Sequence, residues 1–146
     1  MYPNYPDGEY LLTEKVDYYF HNPERGDVVV LKPPPNVSED EFIKRVIGLS
    51  GEKVMVINGS VFINGKELQE PYLQNVYTSG NSFFEEGKEV TIPDGYYAVF
   101  GDNRPHSSDS RAWGFITKSE VTGKAWLIYW PPSRAGFVKS PQYTYK

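Results

Sequence analysis

Two Asn-Gly steps in the stretch "VINGSVFINGKEL" restrict the fold more than any other feature. Asn58-Gly59 and Asn64-Gly65 each follow a short apolar run. Asn-Gly accepts the positive φ values of a two-residue hairpin turn, so the stretch predicts a small antiparallel meander. The other β-compatible runs are short and well separated: Tyr10–Lys15, Asp27–Leu31, Phe42–Ile47, Lys53–Ile57, Ser60–Ile63, Tyr96–Phe100 and Gly123–Trp130. Helix signals are poor; Ser119-Glu120 marks the start of a single turn. Aromatic residues make up 16% of the chain, beside 13 Gly and 12 Pro, a balance that fills strands and punctuates turns. The expected class is mostly β, built on antiparallel sheet.

A chain of 146 residues is one domain's worth and buries a core without covalent staples. The expected division is a core of residues 1–53 and 96–146 around a small β-rich insertion, 54–95. Lys32–Glu41 reads as an exposed loop, Pro-rich and then acidic, and Tyr72–Lys88 as a loop-rich excursion. There are no cysteines, which excludes disulfides, thiolate metal sites and a catalytic thiol. A net charge of -4 without a Lys/Arg cluster argues against nucleic-acid partners. No apolar run reaches the ~18–20 residues of a membrane span, and no leader pattern follows Met1, so the stretch is expected to be soluble. Two classes stay open on these grounds: an enzyme, and an aromatic-rich module that binds sugar or peptide.

The run "EFIKRVIGLSGEKV" sharpens the choice. Side chains alternate across a strand, so Phe42, Lys44 and Val46 share one face and Ile43, Arg45 and Ile47 the other. Two cations on opposite faces of one apolar strand need separate explanations. In one, the strand is at a sheet edge and Lys44 reaches water along its aliphatic stem. In the other, Lys44 sits in an apolar pocket and is neutral. A lysine must fall by roughly 2–3 units from ~10.4 to act as a base near neutrality, which takes about 3–4 kcal/mol of differential desolvation. A neutral lysine then accepts the proton of a serine hydroxyl.

The second unusual stretch is "GDNRPHSSDSRAWG", Gly101 to Gly114, which follows the strand-like "YYAVF". Alone, Gly-Asp-Asn is a turn and Asp109–Arg111 a local ion pair, but the density of polar groups marks a site candidate. Taken together, "FIKRVIGLSGEKV" and "GDNRPHSSDSRAWG" closely resemble the type I signal peptidases, the bacterial Ser-Lys proteases that remove signal peptides. "MYPNYPDGEYLL" is similar to the family's nucleophile segment, Ser-Met-x-Pro followed by a Gly and an apolar strand. "RGDVVVL" and "VTGKAWLIYWP" resemble its next and closing strands. The matches run in the family's order over most of the chain. LexA-type self-cleaving proteins also use Ser and Lys but lack a segment like Gly101–Gly114.

The resemblance implies a membrane-anchored serine endopeptidase acting on the extracytoplasmic side, with an antiparallel β core. Lys44 matches the general base, and Ser107 the serine whose hydroxyl holds the lysine amine. Asp109 with Arg111, and Arg45 with Asp102, match supporting ion pairs. Met1, Tyr5, Leu11, Phe42 and Ile43 match positions lining shallow pockets for small substrate side chains such as alanine. An extended signal peptide would lie as an added strand beside Lys44's strand. The family's nucleophilic serine comes directly before the methionine matching Met1, so the stretch as written is expected not to turn over substrate. A catalytically silent relative that keeps the peptide groove, as an assembly factor, is the alternative.

No cofactor is implied. With two histidines far apart in sequence, His21 and His106, a metal site is not expected. Three departures from the family pattern stand out: "GLSGE" for Gly-Leu-Pro-Gly-Asp, Pro105-His106 for Asp-Asn, and Asn4-Tyr5 for Thr-Leu. The strand-like Trp126–Trp130 is apolar on both faces, as a central strand buried on both sides would be. The other reading of its aromatics, with Phe83, Phe84 and Trp113, is a surface that rests on the bilayer.

Overall fold

The computed structural model describes residues 1–146. Twelve strands run in chain order: β1 (Tyr10–Glu14), β2 (Val28–Leu31), β3 (Phe42–Gly48), β4 (Lys53–Ile57), β5 (Ser60–Ile63), β6 (Lys66–Gln69), β7 (Val90–Thr91), β8 (Tyr96–Phe100), β9 (Ile116–Thr117), β10 (Val121–Trp130), β11 (Gly136–Phe137) and β12 (Thr144–Tyr145). Two single-turn helices, α1 (Asp17–Phe20) and α2 (Ser110–Trp113), and three 3₁₀ turns complete the fold. One of those turns, Lys118–Glu120, stands where Ser119-Glu120 predicts it, closed by a capping box between Thr117 and Glu120.

Both Asn-Gly steps close two-residue hairpins. Ile57 pairs with Ser60 and Ile63 with Lys66, and φ is positive at Asn58, Gly59, Asn64 and Gly65. Mirror-image turns of this kind match the right-handed twist of the strands they join. The meander is the centre of a five-stranded sheet ordered β12-β6-β5-β4-β7, and the other strands form a seven-stranded sheet ordered β1-β10-β2-β3-β8-β9, with β11 also on β10. All pairings are antiparallel. The shortest strands, β7, β9, β11 and β12, carry two residues each, too few for alternation to reveal them in the sequence.

Apolar residues cluster in two cores. Ile47, Ala98 and Phe100 of the larger sheet pack with Val54, Val56, Val61 and Ile63 of the smaller. Val29, Leu31, Val46 and Val99, from the opposite face, pack with Tyr18 of α1, Ile116 and Val121. β3 lies between β2 and β8 at the junction. Its last residue admits no side chain: a Cβ on Gly48 would meet Ile92 Cδ1 at 2.4 Å and Val54 Cγ2 at 3.0 Å. Gly48→Ala is therefore expected to destabilise by about 1–3 kcal/mol through overpacking, read as a lower urea midpoint.

Three sequence expectations change here. Phe84 is not on the surface: it is fully buried between the sheets, edge-on to Phe100 and Phe115. Trp113 is partly buried against the second core, and Phe83 is exposed at 37%. β10 is interior by strand pairing, but core covers only its first half. Val121 and Ala125 are buried, whereas Trp126, Tyr129 and Trp130 are exposed because neither cluster extends beneath them. No helix is long and apolar enough to cross a membrane.

Candidate active site

Lys44 sits in a central strand, so the edge-strand account of its position fails. It pairs with Val29 on β2, and its face is that of Leu31, Val46 and Val99. Its amine lies 4.8 Å over the Phe42 ring. Burial lowers the Lys44 pKa below the ordinary 10.5; the field of Arg111 pushes the same way, and those of Asp109 and Asp102 oppose it. No carboxylate lies within ion-pair distance of Lys44, whereas Arg45, Arg104 and Arg111 each hold one. The arrangement thus makes the ammonium on one face of β3 easier to deprotonate and fixes a permanent cation on the other.

Arg45 is that cation. It pairs with Val28 and Phe100 across the sheet, donates Nε to Asp102 Oδ1 at 2.9 Å and Nη2 to Oδ2 at 2.7 Å, and sends Nη1 to the Gly26 carbonyl at 3.0 Å. Its guanidinium stacks 4.2 Å from the Tyr72 ring. Both partners are buried, and two parallel bonds of this kind hold a planar guanidinium in one orientation. Asn4 adds a third donor, Nδ2 to Asp102 Oδ2 at 2.8 Å, and Met1 Sδ accepts the Asp102 N–H at 3.3 Å. The departure at Asn4 therefore enters the network around Asp102.

The Gly101–Gly114 segment is pinned at three points. Asp109 caps α2, accepts from Gly101 N at 3.0 Å, and takes Nε and Nη2 of Arg111 at 2.8 Å each. Ser110 Oγ accepts the Val99 N–H at 2.9 Å, tying the segment to β8. Arg104, fully buried, forms a two-pronged pair with Glu70 and donates to Thr78 Oγ1 at 2.7 Å and to the Gly101 carbonyl at 3.1 Å. Sequence reasoning missed that pair, because its members lie 34 residues apart, one inside the insertion and one in the Gly101–Gly114 segment. The legible half of the signal was Glu70 at the end of the meander, an acid just before Pro71.

Ser107 lies against the first residue of the turn. A Cβ on Gly101 would come 2.1 Å from Ser107 Oγ, so only glycine leaves room for that hydroxyl. Ser107 Oγ is buried and has no hydrogen-bond partner, and it does not reach Lys44 in this structure. The structure brings Met1 to Lys44: burial, and next the charge of Lys44, lower the pKa of the Met1 amino group below its ordinary 8.0. Tyr5 stands on the Arg45 face beside Asn4 and Tyr72, in a cleft of about 370 Å³. Phe42 and Ile43 are half-buried on opposite faces of β3, and Leu11 faces Ile128 across β1 and β10. His106 and His21 are exposed, the latter 2.8 Å from Asp17, and no cluster of side chains suits a metal ion.

The site thus joins a strand-borne lysine of lowered pKa, buried Arg–carboxylate pairs and a Met-x-Pro segment that approaches the lysine. The family description "Signal peptidase, peptidase S26" matches residues 1–130, and the chain belongs to that family. It is 39% identical over 142 residues to "Probable signal peptidase I-2" of Synechocystis sp., covering 94% of this chain and 62% of that protein. It is 38% identical over 148 residues to "Signal peptidase I" of Leptolyngbya laminosa, covering 97% of this chain and 70% of that one. Among solved structures, a signal peptidase I from Enterococcus faecalis V583 superposes with a TM-score of 0.58 at 32% identity, over 71% of this chain and 97% of that chain.

Proposed function

We propose that this chain is the catalytic β domain of a serine endopeptidase that removes N-terminal signal peptides from exported proteins, with Lys44 as its general base. The observation that carries the reading is Lys44 itself: a lysine on a central strand, without a carboxylate partner, whose pKa burial lowers. In the family's order the nucleophilic serine precedes the residue matching Met1, and the coupling of the Met1 amino group to Lys44 supports that position as its neighbour. The neutral amine takes the serine hydroxyl proton as the oxygen attacks the scissile carbonyl. It then returns the proton to the leaving amine and activates the water that resolves the acyl-enzyme.

Ser107 would orient the amine once substrate closes the site, and Asp102–Arg45 and Asp109–Arg111 would hold the turn that carries it. Phe42, Ile43, Met1, Tyr5 and Leu11 would wall pockets for small residues such as alanine before the cut. The exposed aromatics of β10 suit a membrane surface, and an N-terminal anchor would keep the domain at the extracytoplasmic face. The test is cleavage of a synthetic signal peptide ending Ala-x-Ala by chains carrying serine or alanine immediately ahead of Met1. Cleavage after the second alanine by the serine chain alone is the expected result. Equal cleavage by both, or none by either while the peptide still binds, would overturn the reading and favour a peptide-binding relative.

A further inference from the structure

The nine residues before β1, which bring Met1 beside Lys44, form no strand or helix. Their tethers to the body of the protein are few. Met1 and Asn4 reach the Asp102 turn, Asn4 also donates to the Tyr72 carbonyl at 3.3 Å, Tyr5 lies in the cleft beside Arg45, and a further grip comes from a residue beyond the stretch that matches the family, Arg134. After β10 the chain makes a 3₁₀ turn, Pro132–Arg134, closed by Arg134 N donating to the Pro131 carbonyl at 2.9 Å. That turn aims Arg134 back across the N-terminal segment. Its Nη2 donates to the Asn4 carbonyl at 2.8 Å, and its Nε pairs with the Glu9 carboxylate. Glu9 is 4% exposed, neither of its oxygens accepts a well-directed hydrogen bond, and Arg134 is its one partner within ion-pair distance.

We propose that Arg134 is a positioning residue: it clamps Asn4 and Glu9 so that the Met1 end of the segment is held against the Lys44 site. The two contacts fall at Asn4 and Glu9, so they span the segment from near its middle to its end. The inner contact continues inward, because the same Asn4 whose carbonyl Arg134 holds donates its amide to Asp102, the partner of Arg45. The outer contact is not readily exchanged for water. A buried carboxylate that loses its cation must take up a proton or pull its segment to the surface. The device touches no reacting atom and acts on where the segment lies.

The kinetic part of this proposal rests on Lys44 being the base; its spectroscopic part does not. The chain has two methionines, Met1 and Met55, so ¹³C-methyl labelling gives one reporter on the segment and one in β4 as an internal control. Arg134→Ala orphans Glu9 and risks the fold, so the decisive variant is Glu9→Leu with Arg134→Gln, which removes both charges together and adds no third methionine. In it the Met1 methyl signal is expected to move to the position of a disordered methionine while Met55 is unchanged, and Arg134→Lys is expected to restore part of the shift. With serine ahead of Met1, kcat is expected to fall by about 10²-fold with KM little changed, the usual cost of a small misplacement. An unmoved Met1 signal in the double variant overturns the clamp, and a moved signal with unchanged kcat overturns its role in positioning. Cleavage surviving Lys44→Met would sink the base reading instead and leave the Met1 signal to decide the clamp.

Discussion

Lys44→Met, in a chain carrying serine immediately before Met1, is expected to lower kcat by about 10²–10⁴-fold, the range of the general base that Lys44 is proposed to be. Methionine keeps the length and apolar stem of lysine and lacks the titrating nitrogen, so the second core is expected to stay packed. Lys44→Arg is expected to be as inactive, since guanidinium stays protonated throughout the usable range and supplies charge without basicity. That pair of variants separates a base from a mere cation. The pH dependence has a fixed sign. With Lys44 as the proposed base, activity requires the neutral amine, so kcat/KM is expected to rise with pH through the folded-state pKa of Lys44, which lies below 10.5. Stability moves the same way: between the folded and unfolded values the unfolded chain binds more protons, so raising pH relieves the cost of a buried ammonium. Lys44→Met removes that slope, which urea melts at several pH values would read.

Asp102→Ala is expected to cost about 3–5 kcal/mol, the usual loss when one partner of a buried ion pair is deleted. Arg45 would keep its charge, its place against Tyr72 and its bond to the Gly26 carbonyl, and lose both carboxylate acceptors. Asn4 would lose its carboxylate acceptor in the same step, whereas Met1 accepts from the backbone N–H of residue 102 and keeps that contact. Removing both charges, as Arg45→Met with Asp102→Leu, is expected to recover most of the stability, because no charge is left unpaired. Activity is not expected to recover with it, since Asn4, in the segment that brings Met1 to Lys44, still lacks its Asp102 anchor. A double variant that regains both would mean that the pair stabilises the fold and does nothing for the site.

The contrast between Lys44 and Arg45 was legible from alternation alone: one apolar strand, two cations, two faces. The hairpins at Asn58-Gly59 and Asn64-Gly65 were legible from turn chemistry, which is local. What stayed hidden was mostly long-range. Arg104 meets Glu70 and Arg134 meets Glu9 only because the fold brings distant segments together; Glu9 carries no local mark, and the place of Glu70 before Pro71 does not name its partner. The Asp109–Arg111 pair, two residues apart, needs no fold to be suspected. Phe84 misled because its polar neighbours suggest an exposed loop; its ring is drawn inward by Phe100 and Phe115. The exposed end of β10 misled in the opposite sense, since aromatics on both faces of a strand do not say how far the core beneath them extends.

The central claim is that the fold holds the Lys44 amine below the ordinary lysine pKa, and the most direct measurement is a titration of its ε-carbon. With ¹³C-labelled lysine and Lys44→Met to assign the signal, NMR from pH 6 to 11 would follow each lysine separately. The account predicts that Lys44 titrates below the ordinary 10.5, apart from exposed lysines such as Lys53 and Lys88. A Lys44 that titrates with those lysines, or above them, would contradict it.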